Sequence, residues 1–173
     1  LATFHTLFED PAYRPDAIKI YPCVVIETAE LYQWWQAGRY QPYDDETLLE
    51  LLIQLKGLVP PYVRIERVIR DIPSTSIRAG CRFINLRQAV QRRMQRRGLR
   101  CRCLRCREIR DTADGTYVVT RRDYEAADGT EVFLSYEDPT TDKLAAFLRL
   151  RIPAAAHRRI PHWPAPAPAM PMK

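Results

Sequence analysis

Val63-Arg64-Ile65-Glu66-Arg67-Val68-Ile69-Arg70-Asp71-Ile72-Pro73 is the stretch on which the reading of the fold turns. Apolar and charged residues alternate from Val63 to Arg67, the period of a strand, and the register shifts at Val68-Ile69, where a bulge is expected. Upstream, Leu48, Leu49, Leu51, Leu52, Ile53 and Leu55 mark a helix buried on most sides. Asp44 or Asp45 can cap it, and Gly57 with Pro60-Pro61 ends it. A shorter helix, Glu30 to Ala37, carries Leu31, Trp34 and Trp35 at helical spacing and stops at Gly38. Before it, Ala17-Ile18-Lys19-Ile20-Tyr21-Pro22-Cys23-Val24-Val25-Ile26 reads as a mostly buried strand broken at Pro22. Residues 1–16, with Phe4, Leu7 and Phe8 before Pro11 and Pro15, read as a loop or short helix. Strand, helix, helix, strand is one repeat of an α/β barrel or sheet, and one repeat cannot enclose a core alone.

Downstream the character changes. Asn85 to Gln88 has a capping-box pattern, followed by an apolar stripe of Leu86, Ala89, Val90 and Met94, and Gly98 stops the helix. From Ser76 to Arg110 there are twelve arginines and one acidic residue, Glu108, so this stretch carries +11 within a chain whose net charge is +6. A field that concentrated points to a polyanion, and Arg92, Arg93, Arg96 and Arg97 are its candidate phosphate ligands. The competing reading is a solvated helix face. Tyr21, Tyr32, Trp34, Trp35, Tyr40 and Tyr43 could stack on bases, although most are expected in the core.

Five cysteines is an odd number, and Cys101, Cys103 and Cys106 form a C-x-C-x-x-C cluster too tight for a disulfide framework. Three thiolates this close repel one another unless a soft cation compensates them, and zinc is the usual occupant, ahead of an iron–sulfur cluster or inert thiols. Cys81 is the first choice for a fourth ligand, with His5, His157 and His162 behind it. No residue nearby has a general-base role, so no catalytic residue is assigned. Cys23 is expected to be a buried small hydrophobe.

After Arg110 the period becomes that of strands. Thr116 to Tyr124 and Glu131 to Tyr136 are expected to form a hairpin across Asp128-Gly129. Lys143 to Ile152 is a third strand, with helix as the alternative, reached through Asp138-Pro139, and an antiparallel meander fits best. From Pro153 onward, six prolines and six alanines in 21 residues read as a tail. The fold class is therefore α/β in its first half and α+β overall. With 46% hydrophobic and 28% charged residues, disorder throughout is excluded. No apolar run approaches the roughly 18 residues of a membrane span, and the first residues do not follow the order of a signal peptide, so no membrane partner and a cytoplasmic location are expected.

Several segments taken together resemble a known family. Lys19-Ile20-Tyr21-Pro22, Leu31-Tyr32 with Gly38-Arg39-Tyr40, Leu58-Val59-Pro60-Pro61, Arg67 to Pro73, Asn85-Leu86-Arg87, Cys106-Arg107-Glu108, Arg121-Arg122-Asp123-Tyr124 and Phe133-Leu134-Ser135-Tyr136-Glu137-Asp138-Pro139 follow in the order seen in the catalytic third subunit of Elongator. The resemblance covers about residues 1–152. That family is similar to a radical-SAM α/β barrel fused to a GNAT-type acetyltransferase domain, and it modifies the wobble uridine of tRNA with an acetyl-CoA-derived group. The resemblance implies that residues 1–74 are the last part of the barrel, 75–112 an Arg-rich zinc-binding connector and 113–152 the opening strands of the acetyltransferase domain, with 153–173 the tail. It implies that Arg64, Arg67 and Arg70 face a tRNA or cofactor channel. It also implies a [4Fe–4S] cluster, S-adenosylmethionine and acetyl-CoA for the full-length enzyme, and a homodimer or other Elongator-like subunits as partners.

Two family motifs are missing. The C-x-x-x-C-x-x-C motif of the radical-SAM cluster would lie upstream of Leu1, and the Arg/Gln-x-x-Gly-x-Gly/Ala loop that cradles acetyl-CoA does not occur. The chain is thus expected to be a fragment inactive alone. The alternative is a free-standing zinc-dependent nucleic-acid-binding module; a third reading is a structural connector whose arginines hold neighbouring acidic loops.

Overall fold

The computed structural model describes residues 1–83, 85–110 and 115–154. The elements α1 (Ala2–Glu9), β1 (Ala17–Lys19), β2 (Val24–Ile26), α2 (Glu30–Gln36), α3 (Asp45–Leu58) and β3 (Arg64–Arg67) come first. They are followed by β4 (Ile77–Gly80), α4 (Leu86–Arg96), α5 (Leu104–Arg107), β5 (Val118–Ala126), β6 (Gly129–Asp138) and β7 (Lys143–Pro153). The Pro/Ala-rich stretch lies outside the described residues from position 155 on.

Strands β1 and β3 pair in parallel, with α3 between them in sequence, so the first half contains a strand–helix–strand crossover. Ile18 stands opposite Ile65 and Lys19 opposite Arg67, which leaves Glu66 as the extra residue of a bulge. The sequence pattern puts that bulge two residues later; Val68 and Ile69 instead follow the end of β3. The run from Ala17 to Ile26 is two strands rather than one, because Pro22 has no N–H for a ladder. β2 turns away to pair antiparallel with β4. Nor is the run mostly buried, since Ala17 and Lys19 are exposed and only Val25 is fully enclosed. Gly80, with φ +98°, lets the two backbones close, because a Cβ there would stand 3.0 Å from the Cys23 carbonyl oxygen.

Helix α3 starts where Asp44 accepts the Thr47 N–H at 2.7 Å and continues through Gly57 to Leu58 before Pro60 stops it. Its Leu48, Leu52 and Leu55 face Leu86, Val90 and Met94, the stripe of α4, and all six are at most 5% exposed. The capping box at α4 does not form. Asn85, with φ −116° and ψ 45°, is off the extended conformation that aims a capping side chain at the first turn, and it makes no cap hydrogen bond.

The last three strands form the antiparallel meander β5-β6-β7. Its first turn is centred on Ala127-Asp128 (φ +42° and +59°), one residue before the expected dipeptide. The Ala127 N–H donates to the Pro11 carbonyl at 2.7 Å, and Gly129 pairs with Ala126 beneath the Ile152 carbonyl. Lys143–Pro153 is a strand because β6 satisfies its backbone along its length. Phe133 and Leu144 join the sheet to the helical core. Its other face leaves Val119, Leu148, Leu150 and Ile152 exposed.

Candidate metal centre and its basic surroundings

Gly98, with φ +67°, ends α4 in a left-handed turn: its N–H donates to Gln95 O, and that of Leu99 to Met94 O at 2.9 Å. The chain then reverses into α5. Cys103 precedes that helical turn, and the Leu104 N–H donates to Val63 O at 3.0 Å, fastening the reversal beside β3. This brings the Sγ atoms of Cys101, Cys103 and Cys106 within 4.8 Å of one another, with Cys103 fully buried. Hydrogen bonds from the Cys101 and Cys106 thiols hold Cys103 far below the ordinary thiol value, while Cys101, as donor, is pushed up. Lys56 Nζ, fully buried in the last turn of α3, donates to Cys106 Sγ at 3.6 Å. A soft donor set this compact suits a tetrahedral metal with arms of about 2.3 Å. A cavity of about 550 Å³ opens beside Cys101 and Cys106, with Met94, Arg100 and Lys143 on its wall.

Cys81 does not join the three thiols. It is buried on a separate cavity of about 250 Å³, beside Pro22, Ile72 and Phe83, and burial pushes its thiol up. His5 is on α1 and binds Glu9 at 3.0 Å; His157 and His162 lie outside the described residues. Cys23 is exposed rather than buried, and it hydrogen-bonds Tyr40, whose phenol burial and that bond push up to about 12. The expected aromatic core is not one either. Tyr21, Trp34 and Tyr43 are exposed, and Tyr32, Trp35 and Tyr40 are half-buried; α2 buries none of its residues.

The arginines divide. Arg97 donates to both Glu50 oxygens at 2.7 and 2.6 Å, and Arg93 reaches Glu46 and Glu50. The Arg97 hydrogen bonds, ahead of other causes, lower the Glu50 carboxyl. Arg78 pairs with Glu27, and Arg102 with Asp142. Arg107, 2% exposed, is paired with Glu137 at 2.5 Å and Asp142 at 3.1 Å, and Glu137 also accepts from Arg122 and Ser135. Arg82, Arg87 and Arg105 donate to main-chain carbonyls. Among the described residues, Arg92, Arg96, Arg100 and Arg110 are exposed and have no hydrogen bond or ion pair. Arg64 binds Glu108 at 2.8 Å, Arg67 binds Asp71, and Arg70 lies over the Tyr21 ring at 5.4 Å.

Two features of this centre escape a reading of the sequence. Lys56 stands four residues after Leu52 on the buried side of a helix already read as enclosed, and that spacing is the available signal. The Arg107–Glu137 pair, thirty residues apart in sequence, leaves none.

Comparison with known proteins agrees along nearly the whole chain. The Radical_SAM C-terminal domain family matches residues 15–96. The tRNA uridine(34) acetyltransferase of Methanocaldococcus jannaschii is 43% identical over 164 residues, covering 90% of this chain and 30% of that protein. Elongator complex protein 3 of Homo sapiens is 43% identical over 154 residues, covering 86% of this chain and 28% of that protein. An N-terminally truncated Elp3 from the archaeon Methanocaldococcus infernus superposes with a TM-score of 0.83 at 43% identity, over 88% of this chain and 38% of that one. The chain thus spans about a third of the length of the curated relatives it matches. Its mixed helix-and-strand architecture, with parallel pairing in the first half and a small antiparallel sheet at the end, is that of the corresponding stretch. Over that stretch, the chain is a homologue of the tRNA uridine(34) acetyltransferases and of Elongator complex protein 3.

Proposed function

We propose that this chain is part of an acyltransferase that modifies the wobble uridine of tRNA to a carboxymethyl-type base. In this reading residues 1–74 complete a radical-SAM barrel, 75–112 are a zinc-holding connector, and 113–152 open an acetyltransferase domain. The exposed apolar face of β5-β6-β7 is the kind of surface further parts of such a domain would cover. The full-length enzyme would use a [4Fe–4S] cluster, S-adenosylmethionine and acetyl-CoA. The present chain, inactive alone, would contribute tRNA-binding surface in a cytoplasmic enzyme working as a homodimer or with Elongator-like subunits. The observation that carries the reading is the 43% identity over 164 residues to a tRNA uridine(34) acetyltransferase.

Cys101, Cys103 and Cys106 would hold zinc, with a fourth ligand from elsewhere. Bound there, zinc would cross-link the end of α4 to α5. A buried Cys103 between two half-buried cysteines, with no general base beside them among the described residues, suits a structural ion, not one that activates water. Because Arg93 and Arg97 are occupied by Glu46 and Glu50, the phosphate-binding role falls to Arg92 and Arg96, with Arg100 beyond the helix end.

Metal content and tRNA affinity at two salt concentrations, measured on one sample, test this reading. One zinc per chain, lost in Cys103→Ser, together with tRNA binding that weakens as salt rises, is the expected result. A folded chain with neither metal nor tRNA affinity would sink it.

A further inference from the structure

A fully buried lysine is an anomaly to be explained. Lys56 has no exposed surface, and its neighbours along α3 are Leu52, Ile53 and Leu55. An ammonium withdrawn from water costs several kcal/mol unless a negative group receives it. Among the described residues no carboxylate pairs with Lys56, and its one hydrogen-bond acceptor is Cys106 Sγ at 3.6 Å. Nearby Arg87 differs, since its guanidinium donates to the Ile65 carbonyl at 2.8 Å and not to a sulfur.

We propose that Lys56 is a positioning residue of the metal centre: its ammonium supplies the counter-charge to the Cys101–Cys103–Cys106 thiolates and fixes Cys106 through an N–H···S hydrogen bond. The inference rests on the metal reading above. With a neutral fourth ligand, three thiolates around a divalent ion leave one negative charge, and one buried ammonium cancels it. A neutral site is what a leucine-lined core tolerates. The arrangement also explains why the lysine is at the C-terminal turn of α3. There its charge is favoured by the helix dipole, and it is not among the residues lining the cavity where Arg100 and Lys143 stand. Outer hydrogen bonds of this kind set ligand orientation and metal affinity, and losing one commonly costs about 10–100-fold.

The full chain, with Lys56→Met beside wild type, tests this. Methionine keeps the length and helix preference of the side chain and removes only the charge and the donor. Zinc affinity, measured by competition with a chromophoric chelator, is expected to fall about 10–100-fold. In the cobalt-substituted proteins, the sulfur-to-cobalt charge-transfer band is expected to move to lower energy as Cys106 loses its hydrogen bond. A merely structural lysine would leave that band where it is. Wild type that binds no metal would overturn the metal reading and this inference with it. Wild type and Lys56→Met with equal affinities and superimposable bands would overturn the role of Lys56 alone. If Lys56→Met does not fold, Lys56→Gln takes its place under the same criteria. If neither folds, wild type decides: exchanging zinc for cadmium must shift the 15N resonance of the Lys56 ammonium, and an unmoved resonance overturns the proposal.

Discussion

Helix α4 carries two pairs of arginines with opposite fates. Arg93 and Arg97 reach Glu46 and Glu50 on α3, whereas Arg92 and Arg96 face solvent with no partner among the described residues. Adjacent residues on a helix point about 100° apart, so each pair forms its own row one turn long. The difference between the rows is set by the neighbouring helix, not by the arginines. A stretch with twelve arginines therefore has less charge to offer a polyanion than its composition suggests. The same contrast runs deeper at α5, where the buried Arg107 is paired with Glu137 of β6 and Asp142 of the turn before β7.

Breaking the enclosed end of that contrast should have the largest effect. Arg107→Met strands Glu137 in a pocket where only Arg122 and Ser135 remain, and it cuts the link between the thiol reversal and β6. Removing one member of a buried pair costs about 3–5 kcal/mol, a large share of a small domain's stability. Urea unfolding should show that loss, while Arg92→Met stays within about 0.5 kcal/mol of wild type. Equal midpoints for the two variants would mean that burial does not separate the arginines.

A second, smaller effect comes from the acid side of the same pair. Burial alone would raise the Glu137 carboxyl, but hydrogen bonds from Arg122, Ser135 and Arg107 outweigh it and bring the group from 4.5 down to about 2. A carboxylate depressed by folding stabilises the folded state fully above its unfolded value. That contribution is lost as pH falls from about 4.5 to about 2, and it amounts to about 2–3 kcal/mol. Glu137→Gln should flatten the acid limb of a stability-against-pH curve over that interval. An unchanged limb would assign acid sensitivity to other carboxylates, such as Asp138, whose bonds from Thr141 and Thr140 also lower it.

What could be read in advance follows the range of the interaction. Asp44 capping α3, Gly38 and Gly98 ending helices, and the α4 stripe act within one or two turns, and all are present as read. The thiol cluster is equally local, since six residues hold its three ligands. Asn85 failed as a side-chain cap because its backbone angles, φ −116° and ψ 45°, are not those of a capping residue, and the capping pattern does not encode them. The first hairpin turn lies one residue early because the Pro11 carbonyl takes the Ala127 N–H. Arg93 and Arg97 could not be separated from Arg92 and Arg96, because the distinction depends on carboxylates more than forty residues away. The Lys56 site has the same character, spanning fifty residues between helix and thiol.

The least disruptive change gives the sharpest test of the two rows. Arg92→Ala with Arg96→Ala removes cations that have no partner among the described residues, so stability should not move by more than about 0.5 kcal/mol. Each arginine–phosphate pairing removed should reduce the slope of log affinity for tRNA against log salt by about 0.7–0.9, for a combined change between about 1 and 2. Arg93→Ala with Arg97→Ala should do the reverse. Exposed ion pairs contribute little each, so the double variant should lower stability slightly and leave the salt slope unchanged. The affinities alone could mislead, since a loosened α4 binds less well for reasons unrelated to phosphate. The slope counts ions released and is indifferent to that loosening. If both double variants flatten it equally, Glu46 and Glu50 give up their arginines when RNA arrives, and the inner row is a reserve of positive charge instead of a structural clasp.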